Sequence, residues 1–446
     1  MEYSKLREAL KKYYTDISLQ NSKELFEKCN DEANASYHEG MSVFDMKVLQ
    51  YRTITKNFDP IIFHDLPFYF ETGVIPGLSD GARDFHGLKH AGGWTYFKNE
   101  HRFVEQDESL WDLTCKQRRE KFYLVCGYYN DSSQHFQFNM RPIFEHGLHG
   151  VYDRAKSLIE SAVTDKEKAF LSAVCEGLLC VKHASEKFAQ KAKVLLNLYP
   201  ENENFKLIAE SAERCPWEKP KNFYEALNSY AFMRKIIGSL EGIGPNSFGR
   251  IDMDLYPFYE SDISRHTLTE EKALDYISKF LIMFDCHYDH DQKMVGYADH
   301  ELENTYVLGG CDENGEPIYN DLTKLFLRAT REQKIIFPKI ICRFSDKSPK
   351  EYLDEVDEAV INGTTTILYQ NDNSTINALC ANGIPIKEAR DYLITGCWSV
   401  ALAYSTSAND GNYLNILKPF EYEIHNLTEK MREVGMIFTT IDKAKN

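Results

Sequence analysis

A chain of 446 residues, 43% of them hydrophobic, can bury a sizeable core, as one large domain or as two or three ordinary ones. Its formal net charge of -16 argues against a nucleic-acid surface, because neutralising phosphates takes clusters of Lys and Arg that this chain lacks. No run approaches the ~20 apolar residues of a membrane span, and the start, MEYSKLREALKKYYTDI, is a charged amphipathic helix pattern without the apolar stretch of a secretory signal. The 11 cysteines, with no CxxC pair, fit reduced thiols. Localisation therefore reads as cytoplasmic, with neither nucleic acid nor membrane as partner.

From Asp153 to about Leu198 apolar residues recur at helical spacing: Leu158, Ile159 and Ala162, then Phe170, Ala173, Val174, Leu178 and Val181. Between the two groups Thr164 and Glu167 have the spacing of a capping box, which predicts a helical hairpin. Pro216 and Pro220 mark the next joint, and Tyr224 to Ile237 reads as a further helix with Gly238 near its end. Beyond Gly238 short β-branched or apolar runs alternate with capped helices. Strands are expected at Asn304 to Leu308, Lys339 to Arg343, Thr366 to Tyr369 and Tyr392 to Thr395. Ser348 as N-cap, Pro349 at the first helical position and Glu351 two residues later predict a helix through Ile361. Asp312 to Glu316 lacks the alternating acids of a calcium loop and reads as a turn around Gly315. Strands alternating with helices imply an α/β sheet with crossover connections. With no internal repeat and no low-complexity linker, a mainly helical region, 1–240, and an α/β region, 241–446, are expected to share one compact body.

The chemistry centres on RDYLITGCWS, Arg390 to Ser399, which places Cys397 just past a strand. Taken alone, a buried Cys on a strand is a small core hydrophobe. Its neighbours supply no base for a nucleophile and no second metal ligand, but Gly396 permits a tight turn and Trp398 an apolar wall. None of the histidine pairs His86 and His90, His146 and His149, and His287 and His290 is HExxH and none brings a third local ligand, so no metal site is expected.

Upstream of the cysteine run NTYVLGGCDENGEPIYNDLT (Asn304 to Thr323), PKIICRF (Pro338 to Phe344) and ILYQND (Ile367 to Asp372). Earlier still come HFQFNMRPIFEHGLHGV (His135 to Val151) and SFGRIDMDLYPFYESDI (Ser247 to Ile263); YLNILKPFE (Tyr413 to Glu421) follows. This order resembles the glycyl radical enzymes, the family of pyruvate formate-lyase, over roughly residues 60 to 425. The resemblance implies an α/β fold: a helical amino-terminal region plus the first half of a pyruvate formate-lyase-like α/β barrel, with the cysteine loop inside. It implies that Cys397 forms a thiyl radical for C-C or C-X bond cleavage of a small-molecule substrate, in the manner of a lyase or a formate acetyltransferase under anaerobic conditions. His135 and Ser247 fall near the family's pocket residues. Arg250 and Asp252 are read as pairing with each other in the turn before Tyr256, and Tyr413 to Glu421 is similar to the family's Tyr-x-Asn-x-x-Lys helix.

Two features depart from the family. Ser399 stands where dehydratase and decarboxylase members carry the Glu of Gly-Cys-x-Glu, and Gly396 stands where pyruvate formate-lyase has the first of two cysteines. The segment REVGM, Arg432 to Met436, lacks the Tyr of the family's Arg-Val-x-Gly-Tyr motif, and Gly435 reads as a helix C-cap. The expected partners are a chain carrying the glycyl radical domain, an iron-sulfur, S-adenosylmethionine-dependent activase that installs the radical, and a second copy in a homo-oligomer; no cofactor is expected to be bound tightly by this chain. Two functions stay open: one chain of a split or truncated glycyl radical enzyme, inactive without its partner, or a catalytically inactive relative that serves as a binding or regulatory scaffold.

Overall fold

The computed structural model describes residues 3–13, 40–73, 139–241, 247–293, 305–395 and 399–403, short pieces between 24 and 38, and strand backbone at 125–126 and 413–414. Helices dominate the first part: α1 (Ser4–Lys12), α2 (Val43–Asn57), α3 (Arg141–Ser161), α4 (Asp165–Leu198), α5 (Glu203–Ala212), α6 (Phe223–Glu241), α7 (Ile251–Asp254), α8 (Tyr256–Ser264) and α9 (Glu270–Lys293). A two-residue strand, β1 (Val125–Cys126), precedes α3.

The expected hairpin is α3 and α4, and its hinge is the expected capping box. Glu167 N–H donates to Thr164 Oγ1 at 3.1 Å, while the Glu167 carboxylate accepts from the Thr164 N–H at 2.8 Å. Two orphan donors of the helix start are thereby satisfied. Within α3 the chain kinks at Gly147, where φ is +71°. There Leu148 and His149 donate their N–H groups to the carbonyls of Pro216 and Trp217, both at 2.9 Å. A Cβ at position 147 would lie 2.3 Å from Trp217 O, so this docking of α3 on the proline joint requires glycine.

Helix α6 runs past Gly238 to Glu241, further than expected. Nearly all of it is buried, and that packing outweighs the roughly 1 kcal/mol that an interior glycine costs a helix. It carries Lys235 in a buried ion pair with Glu71 (2.7 Å), and its Asn228 accepts the Tyr69 N–H at 3.2 Å. Both bonds fasten the stretch before Gly73 to the core.

The α/β part contains β2 (Thr305–Gly309), α10 (Asp321–Gln333), β3 (Lys339–Phe344), α11 (Lys350–Ile361), β4 (Ile367–Asn371), α12 (Asp372–Ala381), α13 (Ile386–Arg390), β5 (Tyr392–Thr395), β6 (Ser399–Leu402) and β7 (Tyr413–Leu414). Strands β2, β3 and β4 form a parallel sheet in that order, with α10 and α11 as crossovers. In register, Tyr306 lies beside Ile340 and Ile340 beside Ile367; one step on, Val307, Ile341 and Leu368 align. Side chains alternate across a strand, so these rows face opposite ways. Tyr306, Ile340 and Ile367 join the main core, which reaches back through α6 and α9 to Tyr3. Val307, Ile341 and Leu368 form a second cluster with Tyr392, Leu393, Ile394 and Ala401. Both faces of the parallel sheet are thus covered. Residues 247–249 extend its first edge: Phe248 N–H donates to Thr305 O (2.8 Å) and Val307 N–H to Gly249 O (2.9 Å).

All four expected strands are present, with ends displaced by at most two residues. The Asp312 to Glu316 turn closes by Gly315 N–H to Asp312 O at 3.1 Å and two further N–H bonds to the Asp312 carboxylate. Two local expectations fail. Ser348 does not cap α11; its hydroxyl accepts the Ser345 N–H instead, and the extended backbone of Pro349 starts the helix one residue later. The turn expected before Tyr256 is the single helical turn α7, and Tyr256 opens the helix α8, with Pro257 in its first turn, where a missing N–H costs nothing. Tyr413–Leu414 pairs with β1 as an antiparallel strand rather than opening a helix, and 415–421 lie outside the described residues.

Candidate active site

Strands β5 and β6 are antiparallel, with Tyr392 opposite Leu402 and Thr395 opposite Ser399. The residues between them, 396–398, with Cys397 at their centre, lie outside the described residues, as do His135, His86, His90 and Gly435. What the structure describes is the platform that carries this hairpin.

The hairpin rests on the face of the sheet that presents Val307, Ile341 and Leu368. Two polar side chains grip it. Thr305 Oγ1 donates to Ile394 O at 3.2 Å. Arg343, in the apolar run of β3, is fully buried; its Nη1 donates to Tyr392 O and its Nη2 to Arg390 O, both at 2.8 Å. The guanidinium forms a two-point ion pair with Asp372, Nε to Oδ1 at 2.8 Å and Nη2 to Oδ2 at 3.0 Å, and stacks 3.9 Å from the centre of the Tyr392 ring. Tyr392 Oη completes the cluster by donating to Asp372 Oδ1 at 2.7 Å. A charge buried this deeply is tolerable only when its donors and its counter-charge are matched, as they are here. Gly310, with φ at +79°, makes the space: a Cβ there would stand 2.7 Å from Arg343 Nε.

Asp391, the residue before β5, forms a second cluster. Arg141, the first residue of α3, meets its carboxylate at two points (2.6 and 3.0 Å) and also bonds Asp254 at 3.0 Å. Arg250 reaches Asp391 Oδ1 at 3.0 Å and the carbonyl of Cys311 at 2.7 Å. Burial pushes the Asp391 carboxyl up, but the hydrogen bonds and charge of Arg141 and the charge of Arg250 outweigh it and hold the group below the ordinary carboxylate range.

Arg250 and Asp252 therefore do not bond to each other, contrary to the sequence expectation. Asp252 Oδ2 accepts instead from Gly309 N–H (2.8 Å) and Thr323 Oγ1 (2.7 Å), because the single turn of α7 points the two side chains to different neighbours. Burial pushes the Asp252 carboxyl up to about 6, against those two hydrogen bonds. Ser247 is buried beside β2, paired with Thr305 across the sheet edge, and its Oγ accepts the Gly249 N–H at 3.1 Å. One of the expected pocket residues is thus placed next to Thr305, the side chain that bonds the hairpin.

Other cysteines are poor candidates for chemistry at a thiolate. Burial raises the thiols of Cys175, Cys180, Cys215 and Cys311, and pushes those of Cys29 and Cys342 up to about 12. His146 is exposed, and His149 is half-buried and stacks on Trp217. Among the described residues no group of three or more His, Cys, Asp or Glu is placed to hold a metal ion, and no helix is long and apolar enough to cross a membrane.

Sequence reading missed Arg141, Arg343, Asp372 and Asp391. A signal was available in PKIICRF and RDYLIT, where a charged residue interrupts or abuts an apolar strand and must find a partner.

A family model described as pyruvate formate lyase-like matches residues 100–445. The chain belongs to the pyruvate formate lyase-like family. Among its relatives are an isethionate sulfite-lyase of Bilophila wadsworthia, 30% identical over 233 residues that cover 51% of this chain and 28% of that protein, and a (2S)-3-sulfopropanediol dehydratase of Klebsiella oxytoca, 25% identical over 327 residues, 69% of this chain and 38% of that protein. The matches thus span well under half the length of these relatives. A solved structure concerned with 1,2-propanediol dehydration in Roseburia inulinivorans aligns with a TM-score of 0.71 at 20% identity, over 90% of this chain and 55% of that one. The B12-independent glycerol dehydratase of Clostridium butyricum aligns with a TM-score of 0.70 at 20% identity over the same shares. These structures share the fold, so the expected α/β class, a helical amino-terminal region followed by a pyruvate formate lyase-like sheet, holds.

Proposed function

We propose that this chain supplies the thiyl-forming cysteine, Cys397, of a glycyl radical enzyme that cleaves a carbon–carbon or carbon–heteroatom bond of a small substrate in an anoxic cytoplasm. The observation that carries the reading is the family match across residues 100–445, which takes in Cys397 and both flanking strands. The seating of that hairpin on the covered inner face of a parallel sheet supports it, since a thiyl radical needs a site with little water. The relatives named as a sulfite-lyase and a dehydratase favour a carbon–heteroatom bond as the one broken.

In this reading a glycyl radical of the family's kind, installed by an activase, would supply the radical chemistry, and Cys397 would give up its thiol hydrogen atom to it. The Cys397 sulfur then abstracts a hydrogen atom from a substrate carbon, forming S–H and leaving the unpaired electron on that carbon. The adjacent bond breaks, and the product radical recovers the hydrogen atom from Cys397. Ser247, its oxygen engaged by Gly249 N–H, turns its own hydrogen toward a substrate oxygen, and His135 is the second pocket residue. Ser399 offers no group that exchanges protons near neutrality, so the reaction does not draw an acid or base from that position.

The test combines this chain with an activase and a polypeptide that carries Arg-Val-x-Gly-Tyr, under anoxia. A glycyl radical signal in electron paramagnetic resonance is expected, with substrate turnover that disappears in Cys397→Ala. Turnover that persists in that variant would refute the role of Cys397. Absence of any radical or turnover would instead favour the second reading, a binding or regulatory scaffold, to which Ser399 in place of the usual Glu already leans.

A further inference from the structure

Asn is followed by Gly at three places, Asn314, Asn362 and Asn382, and all three Asn residues are exposed. This dipeptide is chemically labile, because glycine has no side chain to hinder attack by its backbone nitrogen on the Asn side-chain carbonyl carbon. A bond forms between that nitrogen and Cγ, the side-chain amide nitrogen leaves as ammonia, and water opens the cyclic imide to an aspartyl or an isoaspartyl link. The attack needs a Gly N–H free of its hydrogen bond, a free Asn side chain and a backbone able to rotate. The fold decides which of the three sites meets those conditions.

Asn362 and Asn382 form a matched pair. Each ends its helix with near-helical backbone, φ -84° and ψ 12° for Asn362 and φ -90° and ψ 13° for Asn382. Each donates its side-chain amide at 2.8 Å to a carbonyl one turn back, Glu358 O or Ala378 O. The following Gly N–H is bonded to Val360 O (3.0 Å) or Cys380 O (2.9 Å), and the next N–H closes the same cap, Thr364 onto Ala359 O at 3.0 Å and Ile384 onto Leu379 O at 3.1 Å. What differs is the anchorage. Helix α11 buries Tyr352, Val356 and Ala359, and Thr364 leads into β4 past Thr366, whose carbonyl accepts the Ile340 N–H at 2.9 Å. Helix α12 has a single buried residue, Asp372, at its opposite end, while Ile376 and Leu379 are only partly buried. Asn314 is locked in another way. The Asp312 carboxylate accepts the N–H groups of Asn314 (2.8 Å) and Glu316 (2.9 Å), and Gly315 N–H donates to Asp312 O at 3.1 Å. Arg390 Nη1 and Lys347 Nζ then hold the carbonyls of Glu313 (2.9 Å) and Gly315 (3.2 Å).

We infer that Asn382 is a site of spontaneous chemical modification, converting to aspartyl and isoaspartyl forms, while the fold keeps Asn314 and Asn362 intact. Reaction at Asn382 requires only the last turn of α12 to open, an end that frays without uncovering a fully buried side chain. The same opening at Asn362 uncovers Ala359 and pulls on β4; at Asn314 it breaks the contacts of Arg390 and Lys347. The site also has a place in the architecture. Helix α12 starts at Asp372, the counter-ion of Arg343, and α13 ends at Arg390, whose carbonyl Arg343 holds, so the Asn382 corner spans two fixed points of the platform under the hairpin. A carboxylate at 382 removes the donor to Ala378 O and puts negative charge at the negative end of α12. The isoaspartyl link adds a carbon atom to the main chain between those two points.

The test incubates the full chain, folded and in urea, in mildly alkaline buffer. Mass spectrometry follows the three Asn-Gly peptides, and isoaspartate is counted by enzymatic methylation. In urea the three are expected to react at rates within about 3-fold of one another, whereas in the folded chain Asn382 is expected to react roughly 10-fold faster than the other two. Asn314 or Asn362 keeping pace with Asn382 in the folded chain would overturn the proposal. So would rates in urea that already rank Asn382 first by the same factor, since sequence and not fold would then select the site. Asn382→Asp, which carries the product's charge, is expected to speed amide exchange in the α12 and α13 peptides alone; unchanged exchange there would overturn the consequence for the platform.

Discussion

Asp252 and Asp391 show how two carboxylates a short distance apart in one fold acquire opposite habits. Asp391 is supplied with two guanidinium groups and stays ionised, so its contribution to stability is present above its unfolded pKa and lost as pH falls through its depressed folded value. Asp252 has two neutral donors on one oxygen; among the described residues its Oδ1 has no hydrogen-bond partner, and burial lifts its pKa to about 6. Its sign is reversed. The protonated form is favoured by folding, so its contribution is full below the unfolded value of about 3.9 and is lost as pH rises through about 6. Two units correspond to on the order of 3 kcal/mol. Asp252→Asn is therefore expected to flatten the dependence of unfolding free energy on pH between about 4 and 6, measured by urea titration at a series of pH values. An unchanged slope would remove Asp252 as its source. The sequence presents both residues simply as acids beside arginines; which arginine goes to which acid is decided by the single turn of α7 and by the position of β5.

At the scale of elements, the features with local causes are the ones the sequence displays. The capping box at Thr164 and Glu167 and the Asp312 turn follow from side chains acting on neighbours within four residues, and the strands show as short apolar runs although their parallel pairing is long-range. Where distant packing decides, the local signal misleads, as Gly238 shows by failing to stop the buried α6; Ser348 loses its cap to a competing local bond from Ser345 N–H. Asn320 joins the two regimes. It caps α10 by accepting Thr323 N–H at 3.0 Å, and its amide donates to Asp252 O at 3.0 Å, while Thr323 Oγ1 bonds the Asp252 carboxylate. Asn320→Ala is expected to lower stability by about 1–2 kcal/mol. Because the cap holds Thr323, the same change is expected to raise the Asp252 pKa further. Denaturant unfolding at pH 5 and pH 8 checks both parts: a loss equal at the two values would show that the cap acts on α10 alone.

Across the whole molecule, one apolar cluster runs from Tyr3 to Ile367 and ties the first helix to the sheet. Polar contacts reinforce it: Tyr3 Oη donates to Asp275 at 3.0 Å, and Arg7 bonds Asp285 at 2.9 Å, whose other oxygen accepts the N–H groups of Ile336 and Phe337 just before β3. Leu10 is fully buried in that cluster. Leu10→Ala is expected to cost roughly 2–5 kcal/mol and to shift circular dichroism and fluorescence melts together, because the site is shared by α1 and the rest of the core. Melts that separate would mean that the helical region unfolds independently.

The sequence by itself determined the secondary elements with strong local signals, the alternation that gives an α/β sheet, and the family order of motifs around Cys397. Those properties depend on residues close together in the chain, where period, caps and turn chemistry act. Only the tertiary structure decided that Arg343 with Asp372 and Arg141 with Arg250 and Asp391 meet beneath the β5–β6 hairpin. The partners in these pairs lie between 29 and 250 residues apart in sequence. Nothing local couples them. They find each other because a charge enclosed by the folded core must be matched by whichever opposite charge the packing of the sheet and helices brings within reach.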